Sequence, residues 1–289
     1  MLSDQQVATF ERRGFLNAGP VFSPEEVDRF SDELDRIIEK GPDGFAEGET
    51  RPILFHAMGG NPERPVWQIV NMWEASPIFE ELIRHPAIVK AISQLTGFDD
   101  LQIWHDQVQY KPAHTGGSTT WHQDAPLWPA IEPMSEVSAW IPFDDAEIEN
   151  GCMWMVPGSH RWGDQQEWLN TQGHLTNLES FTDLGDFEPP ADAPITEIEP
   201  VACPVKRGEV HFHHALTWHG SPENESDHPR RALAIHYMTP EARFTGRDHA
   251  MRPHIKVEVG ELMANAGEHF PFVCRDGQPV TEPARIGAD

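Results

Sequence analysis

The chain changes texture at Gly97, and nothing else in the sequence limits its fold as much. Beyond that residue, apolar and aromatic side chains come in short runs over residues 101–111, 137–143, 152–156, 201–205, 209–214 and 231–237. Gly, Pro, Asn and Asp separate them. Short runs bounded by turn residues read as strands. Several of them in succession predict an antiparallel sandwich or barrel. Residues 163–200 are acidic and contain prolines, which reads as a long insertion between strands. Residues 244–289 give no clear pattern.

Before Gly97 the pattern is helical. Ser23-Pro24-Glu25-Glu26 is a capping box with proline at the first helical position, followed on one face by Val27, Phe30, Leu34, Ile37 and Ile38. The helix should run over 23–40 and stop at Gly41-Pro42. A shorter helix is expected over 5–13. Another opens at Ser76-Pro77, and a further one runs from Pro86 to Gly97.

The chain carries 47 acidic and 21 basic residues, a formal charge of −26. Such a surface repels phosphate backbones and anionic lipid, so neither nucleic acid nor membrane is expected as a partner. The acidic, lysine-poor balance fits either a saline habitat or ordinary solubility. No apolar run reaches the length of a membrane helix, and the N-terminus lacks the pattern of a signal peptide. Three scattered cysteines form neither a disulfide framework nor a cysteine zinc site. A cytoplasmic protein is the simplest expectation.

Chemistry concentrates in two segments. Thr119-Thr120-Trp121-His122-Gln123-Asp124 places a histidine and a carboxylate two residues apart, on one side of an extended strand. Alone, a His-x-Asp in a chain with 16 histidines carries little weight. The second segment runs from His219-Gly220-Ser221 through a turn-rich loop to Arg230, which opens the next apolar run. Two histidines and one carboxylate occupy one face of an octahedral Fe(II) and leave the other open for cosubstrate and O2. Arginine offers a forked, permanently charged partner for a carboxylate.

Together these segments resemble the phytanoyl-CoA dioxygenase family of Fe(II)- and 2-oxoglutarate-dependent oxygenases. Trp121-His122-Gln123-Asp124 is similar to the family's His-x-Asp strand. The stretch Asn150-Gly151 to Pro157-Gly158-Ser159-His160 is similar to its Asn-Gly…Pro-Gly-Ser-His region. Lys206-Arg207-Gly208-Glu209-Val210 with His219-Gly220-Ser221 and Arg230 is similar to its second-histidine region. The opening helix ending near Gly14-Phe15-Leu16 also fits, and the likeness spans about residues 3–240.

The resemblance implies a mostly β fold with flanking helices: a double-stranded β-helix, a jelly-roll or cupin-like barrel, with N-terminal helices packed on one sheet. A single dioxygenase domain would fill 1–289. Its helical flank would cover about 1–97, its barrel core about 98–240 and a C-terminal extension about 241–289. His122, Asp124 and His219 would hold Fe(II). Arg230 and Ser221 would bind the distal carboxylate of 2-oxoglutarate, with Trp140 beside the cosubstrate and Gln109 and Lys111 as further contacts.

Trp128, in a loop six residues after His122, and Gln123 are the expected substrate-pocket residues. The implied reaction hydroxylates a C–H bond of a small molecule and releases succinate and CO2. Because Asp124 is present, halogenation is not expected; desaturation and ring closure remain related outcomes. The aromatic content favours a substrate with an apolar body. The net charge argues against a coenzyme A thioester, although Arg161 and Lys206-Arg207 offer local positive charge. A monomer or small homo-oligomer is expected.

His211, His213 and His214 compete for the third ligand position, and His219 is preferred because it alone has the Gly-Ser…Arg continuation. The remaining histidines, among them His105, His236 and His249, read as packed or surface residues. Pro157-Gly158-Ser159-His160 reads as a turn with no catalytic role. Two other classes stand beside the oxygenase. A zinc hydrolase or isomerase on the same barrel would have no use for Arg230. A non-catalytic binding barrel should have lost a metal ligand, and none is lost.

Overall fold

Local sequence signals set the main helices, and two large antiparallel sheets organise the chain around them. The computed structural model describes residues 1–58, 61–185 and 187–282. The first part of the chain forms α1 (Asp4–Arg13), β1 (Phe15–Pro20), α2 (Pro24–Lys40), β2 (Leu54–Met58) and β3 (Val66–Val70). Then come α3 (Met72–Ala75), α4 (Pro77–Ile83), α5 (Pro86–Thr96), β4 (Leu101–Lys111) and β5 (Thr119–His122). The middle holds β6 (Ile131–Glu132), β7 (Val137–Pro142), β8 (Met153–Met155), α6 (Gln166–Leu169), β9 (Val201–Cys203) and β10 (Glu209–His214). Last are β11 (His219–Ser221), β12 (Arg230–Met238), β13 (Arg243–Phe244), β14 (Phe272–Arg275) and β15 (Gln278–Pro279).

The major sheet runs β1-β10-β7-β12-β4-β14-β15, with β3 and then β2 added along the other half of β4. The minor sheet runs β5-β11-β8-β9. All these pairings are antiparallel, and Phe15, Trp140 and Ala232 of the major sheet pack against Met153, Met155 and Cys203 of the minor one. This is the jelly-roll fold with flanking helices.

Strand periodicity separates two environments on the major sheet. Val137, Ala139, Ile141, Leu233 and Ile235 face the helices, whereas Ser138, Trp140, Arg230 and His236 belong to the barrel side. On α2, Ser23 accepts from the Glu26 N–H while the Glu26 carboxylate accepts from the Ser23 N–H, closing the capping box. Its Val27, Phe30, Leu34 and Ile37 are buried in the same cluster as the outer face of the sheet. Leu34→Ala should cost about 2–5 kcal/mol, because it leaves a cavity in a fully buried layer. A lowered urea midpoint with unchanged 2-oxoglutarate affinity is the expected reading.

Three strands occur where the sequence predicts only helix. β1 pairs the outer edge of β10, and the β2–β3 hairpin extends the sheet beside β4. Val66-Trp67-Gln68-Ile69-Val70 is β-branched and aromatic, and pairing with residues 107–110 satisfies that preference. The C-terminal part also adds to the sheet, through β14 on the first residues of β4. The insertion over 163–200 carries short helical turns, and its Leu175, Phe181 and Leu184 pack on Trp121 and Trp218 of the minor-sheet side. Among the described residues no helix is long and apolar enough to cross a membrane.

Candidate metal centre and cosubstrate chamber

β5 and β11 are neighbours, and their register sets His122 directly opposite His219. Asp124 lies just past the end of β5, in right-handed helical conformation (φ −69°, ψ −51°), where a short 3-10 turn begins. The turn folds its buried carboxylate back to the histidines. Asp124 Oδ1 is 3.4 Å from His122 Nε2 and 3.6 Å from His219 Nε2. The three donor atoms all lie within 4.8 Å of one another. Ligands at bond lengths of about 2.1 Å and right angles sit about 3 Å apart, so the geometry is close to that of a coordinated ion.

Backbone carbonyls fix the tautomers. His122 Nδ1–H donates to Thr120 O (2.8 Å) and His219 Nδ1–H donates to Thr217 O (2.9 Å). Each ring therefore turns its Nε2 to the centre. Burial and the neighbouring His122 hold the His219 pKa well below the usual imidazole range, so this ring is neutral at pH 7. Burial alone would raise the Asp124 pKa; His219, His122 and His213 reverse that and hold it well below the usual carboxylate range. Burial would lower the His122 pKa, but the bond to Asp124 and its charge outweigh that and raise it, so a metal taking Nε2 would displace a proton there. Two imidazoles and a carboxylate then suit Fe(II), and the donor set is His122, Asp124 and His219.

The second oxygen of Asp124 is held from behind. His213 Nε2–H donates to Oδ2 at 3.2 Å, and the Ser138 hydroxyl lies 3.5 Å from the same oxygen and 2.7 Å from His236 Nδ1. Only Oδ1 then faces the histidines, which leaves Asp124 one coordinating oxygen. Sequence reading treated His213 as a competitor for the metal or as a packed residue; its role as a support for Asp124 was missed. His211 has no partner at either ring nitrogen, and His214 Nδ1 accepts from the Leu216 N–H. His213→Phe should weaken Fe(II) binding by about 10–100-fold, and His213→Gln, which keeps a donor, should recover most of it. Anaerobic metal titration measures both.

Beyond Ser221, Arg230 opens β12 and is fully buried. Its Nη2–H donates to Ser221 Oγ at 3.4 Å, while Nε and Nη1 have no partner. Its guanidinium carbon sits 5.6 Å from the Trp140 ring centre, and the Trp140 indole N–H is also unpartnered. Burial lowers the Arg230 pKa to about 10, so it stays charged at pH 7. A buried cation with idle donors is costly unless an anion completes it, so this chamber fits the distal carboxylate of 2-oxoglutarate.

Lys111 pairs with Arg230 across β4 and β12, and its Nζ donates to Ser221 O (3.1 Å) and Pro222 O (2.6 Å). It therefore ties the segment after His219 to the chamber wall. Gln109 faces the open pocket beside Gln107.

That pocket has a volume of about 460 Å³ and reaches His122 and Asp124. Trp128 lines it as expected and packs at 4.5 Å, ring centre to ring centre, on His236. Gln123 is a correction. It does not line the pocket: its Nε2–H groups donate to Gly163 O and Leu216 O, and its Oε1 accepts from the Gln165 N–H. Lying between two residues that face the metal, it points the other way and clips the insertion to the barrel. Residues unforeseen in the sequence complete the lining: Gln68 from β3, Gln166 and Asn170 from the insertion, His249 from the C-terminal part. The 157–160 segment is a turn as expected, with Ser159 Oγ accepting from the Trp218 N–H beside His219.

The sequence profile described as phytanoyl-CoA dioxygenase matches residues 10–232. The chain is 28% identical over 286 residues to phytanoyl-CoA dioxygenase domain-containing protein 1 of Bos taurus, covering 87% of this chain and 95% of that protein. It is 26% identical over 257 residues to ectoine dioxygenase of Bordetella bronchiseptica, covering 87% and 80%. Among solved structures, the non-haem α-ketoglutarate-dependent carbocyclase SnoK from nogalamycin biosynthesis superposes with a TM-score of 0.71 at 26% identity, covering 94% of this chain and 96% of that one. With a profile match over most of its length and the metal triad in place, the chain belongs to the phytanoyl-CoA dioxygenase family of iron- and 2-oxoglutarate-dependent oxygenases.

Proposed function

We propose that the protein hydroxylates a C–H bond of a small-molecule substrate, converting 2-oxoglutarate and O2 to succinate and CO2. The observation that carries this reading is a His-Asp-His triad with one oxygen of Asp124 aimed at it, beside a buried arginine whose donors lack an anion. Bound Fe(II) and 2-oxoglutarate together supply the oxidising chemistry.

The chain's own residues do the rest. His122 and His219 would offer their Nε2 lone pairs, and Asp124 would contribute charge through one oxygen because His213 and Ser138 hold the other. Arg230 and Ser221 would anchor the far carboxylate of the cosubstrate, with Trp140 as a flat wall that excludes water. Trp128 and the amide-lined wall would position the substrate above the triad. A carboxylate in the third ligand position leaves no protein-provided gap for a halide. A zinc hydrolase would leave the Arg230 guanidinium without purpose.

SnoK, named as a carbocyclase, has the same fold, so ring closure is the outcome to separate from hydroxylation. Mass spectrometry of the product formed under ¹⁸O2 does so. Incorporation of one labelled oxygen is expected; loss of two hydrogens without label would contradict hydroxylation.

A further inference from the structure

Resting on the oxygenase reading, we infer that the substrate is an electrically neutral molecule bearing hydroxyl or carbonyl oxygens on an apolar frame, and not a coenzyme A thioester or other anion. The juxtaposition behind this is a chamber in which carboxamides alternate with hydrocarbon and which, among the described residues, no lysine or arginine lines.

Among the described residues, no lysine or arginine lines the pocket above the triad, and its one carboxylate is the metal ligand Asp124. Gln68, Gln107, Gln109, Gln166 and Asn170 supply the polar side. Part of this set is tied up internally: His56 bonds Gln68 Oε1 (2.9 Å), and Gln68 Nε2 donates to Gln107 Oε1 (2.5 Å). Gln166 Nε2 likewise donates to Asn170 Oδ1 (2.9 Å). These two bonds use the Gln107 and Asn170 amide oxygens and turn their N–H groups outward, and among the described residues no side-chain bond occupies the Gln109 amide. Neutral donors suit neutral oxygens, since a buried anion needs a charged partner to replace its hydration.

Apolar side chains lie beside these amides: Leu54, Met58, Val66 and Val70 on the same β2–β3–β4 surface, and Leu127 and Trp128 after β5. Beside the ligands His122 and Asp124, the remainder includes Ser118, Thr119 and Thr120 and two further imidazoles, His105 and His249, stacked at 6.0 Å. Burial holds both pKa values below the ordinary imidazole range, so neither supplies positive charge near pH 7.

The positive cluster that the sequence offers is engaged elsewhere. Lys206 pairs with Asp145 and Glu147, and Arg207 with Asp28. Arg161 donates to Glu11 O. Arg64, two residues before pocket-lining Val66, is paired with Glu223 at 2.6 Å. The positive cluster offered by the sequence is therefore neither at the pocket nor free, and the chain's charge of −26 adds repulsion. A volume of about 460 Å³ suits a metabolite-sized molecule.

Three probes test this by equilibrium dialysis with the protein holding Fe(II) and 2-oxoglutarate without oxygen: phenyl β-D-glucoside, phenyl β-D-glucuronide and decanoyl-coenzyme A. The first two differ in one group, a neutral CH2OH against a carboxylate. The glucoside should bind at least about tenfold more tightly than the glucuronide or the thioester. Gln109→Lys should tilt the preference towards the glucuronide. Tighter or equal binding of either anion, saturation by none of the three, or an unchanged ratio in Gln109→Lys would overturn the inference. The visible charge-transfer band on adding Fe(II) and 2-oxoglutarate scores the oxygenase reading separately. A normal band with the wrong preference rejects only the substrate class; absence of the band rejects the function itself.

Discussion

Replacing His219 by alanine is expected to abolish the weak visible charge-transfer band that Fe(II) and 2-oxoglutarate give in the absence of oxygen. Iron affinity and succinate release should fall by at least about 100-fold, since loss of supporting groups alone costs 10–100-fold at such centres. The reason is geometric. His219 stands across the β5–β11 ladder from His122, and the two Nε2 atoms share Asp124 Oδ1 at 3.4 and 3.6 Å. Without His219 the described residues leave a two-ligand site, because His211 is outside the cluster and His213 is bonded to the far oxygen of Asp124. His211→Ala is the matching control and should keep the band. A band of normal intensity in His219→Ala would mean that a different side chain is the third ligand.

Arg230→Met should separate cosubstrate from metal. Truncating one partner of a buried charge pair costs about 2–5 kcal/mol, so 2-oxoglutarate binding should weaken roughly 30-fold or more. Iron affinity should change little, since Arg230 is not in the metal cluster. Stability of the ligand-free protein gives a second reading. Arg230 is a fully buried cation whose side chain has the Ser221 hydroxyl as its hydrogen-bond partner and two idle nitrogens. Removing an uncompensated buried charge should leave the ligand-free protein as stable as before, or more so. Equal loss of iron and 2-oxoglutarate binding, or a large drop in ligand-free stability, would assign Arg230 a structural role instead.

Much of this arrangement is written in short-range patterns. The Ser23 capping box and the helical spacing of Val27, Phe30, Leu34 and Ile37 specify α2 locally, and the structure keeps both. The strand candidates after Gly97 all form strands: residues 101–111 and 209–214 with the expected bounds, 231–237 extended to Arg230–Met238, and 137–143, 152–156 and 201–205 shortened to Val137–Pro142, Met153–Met155 and Val201–Cys203. The His-x-Asp and His-Gly-Ser…Arg segments are legible because each is a short stretch of sequence: the first lies at the end of β5, the second joins β11 to the start of β12 through one loop.

What was not legible depends on contacts between distant segments. His213 meets Asp124 across 89 positions of sequence, and no local pattern marks that pairing. For Gln123, adjacency to two metal-facing residues suggests the pocket, whereas hydrogen bonds to Gly163, Leu216 and Gln165, all distant in sequence, hold it against the insertion. The β2–β3 strands were hidden in a region of helical signals, since a run of five apolar and polar residues carries little periodicity until β4 is there to pair with. The amide wall draws on β3, β4 and the insertion, so its neutral character emerges only when these segments meet.

The most direct measurement is anomalous diffraction at the iron absorption edge, from crystals prepared without oxygen in Fe(II) and 2-oxoglutarate. The predicted result is a single strong peak within bonding distance of His122 Nε2, Asp124 Oδ1 and His219 Nε2, with the cosubstrate's far carboxylate on Arg230. A peak among His105, His236 and His249, or no peak at full iron loading, would contradict the assignment of the centre.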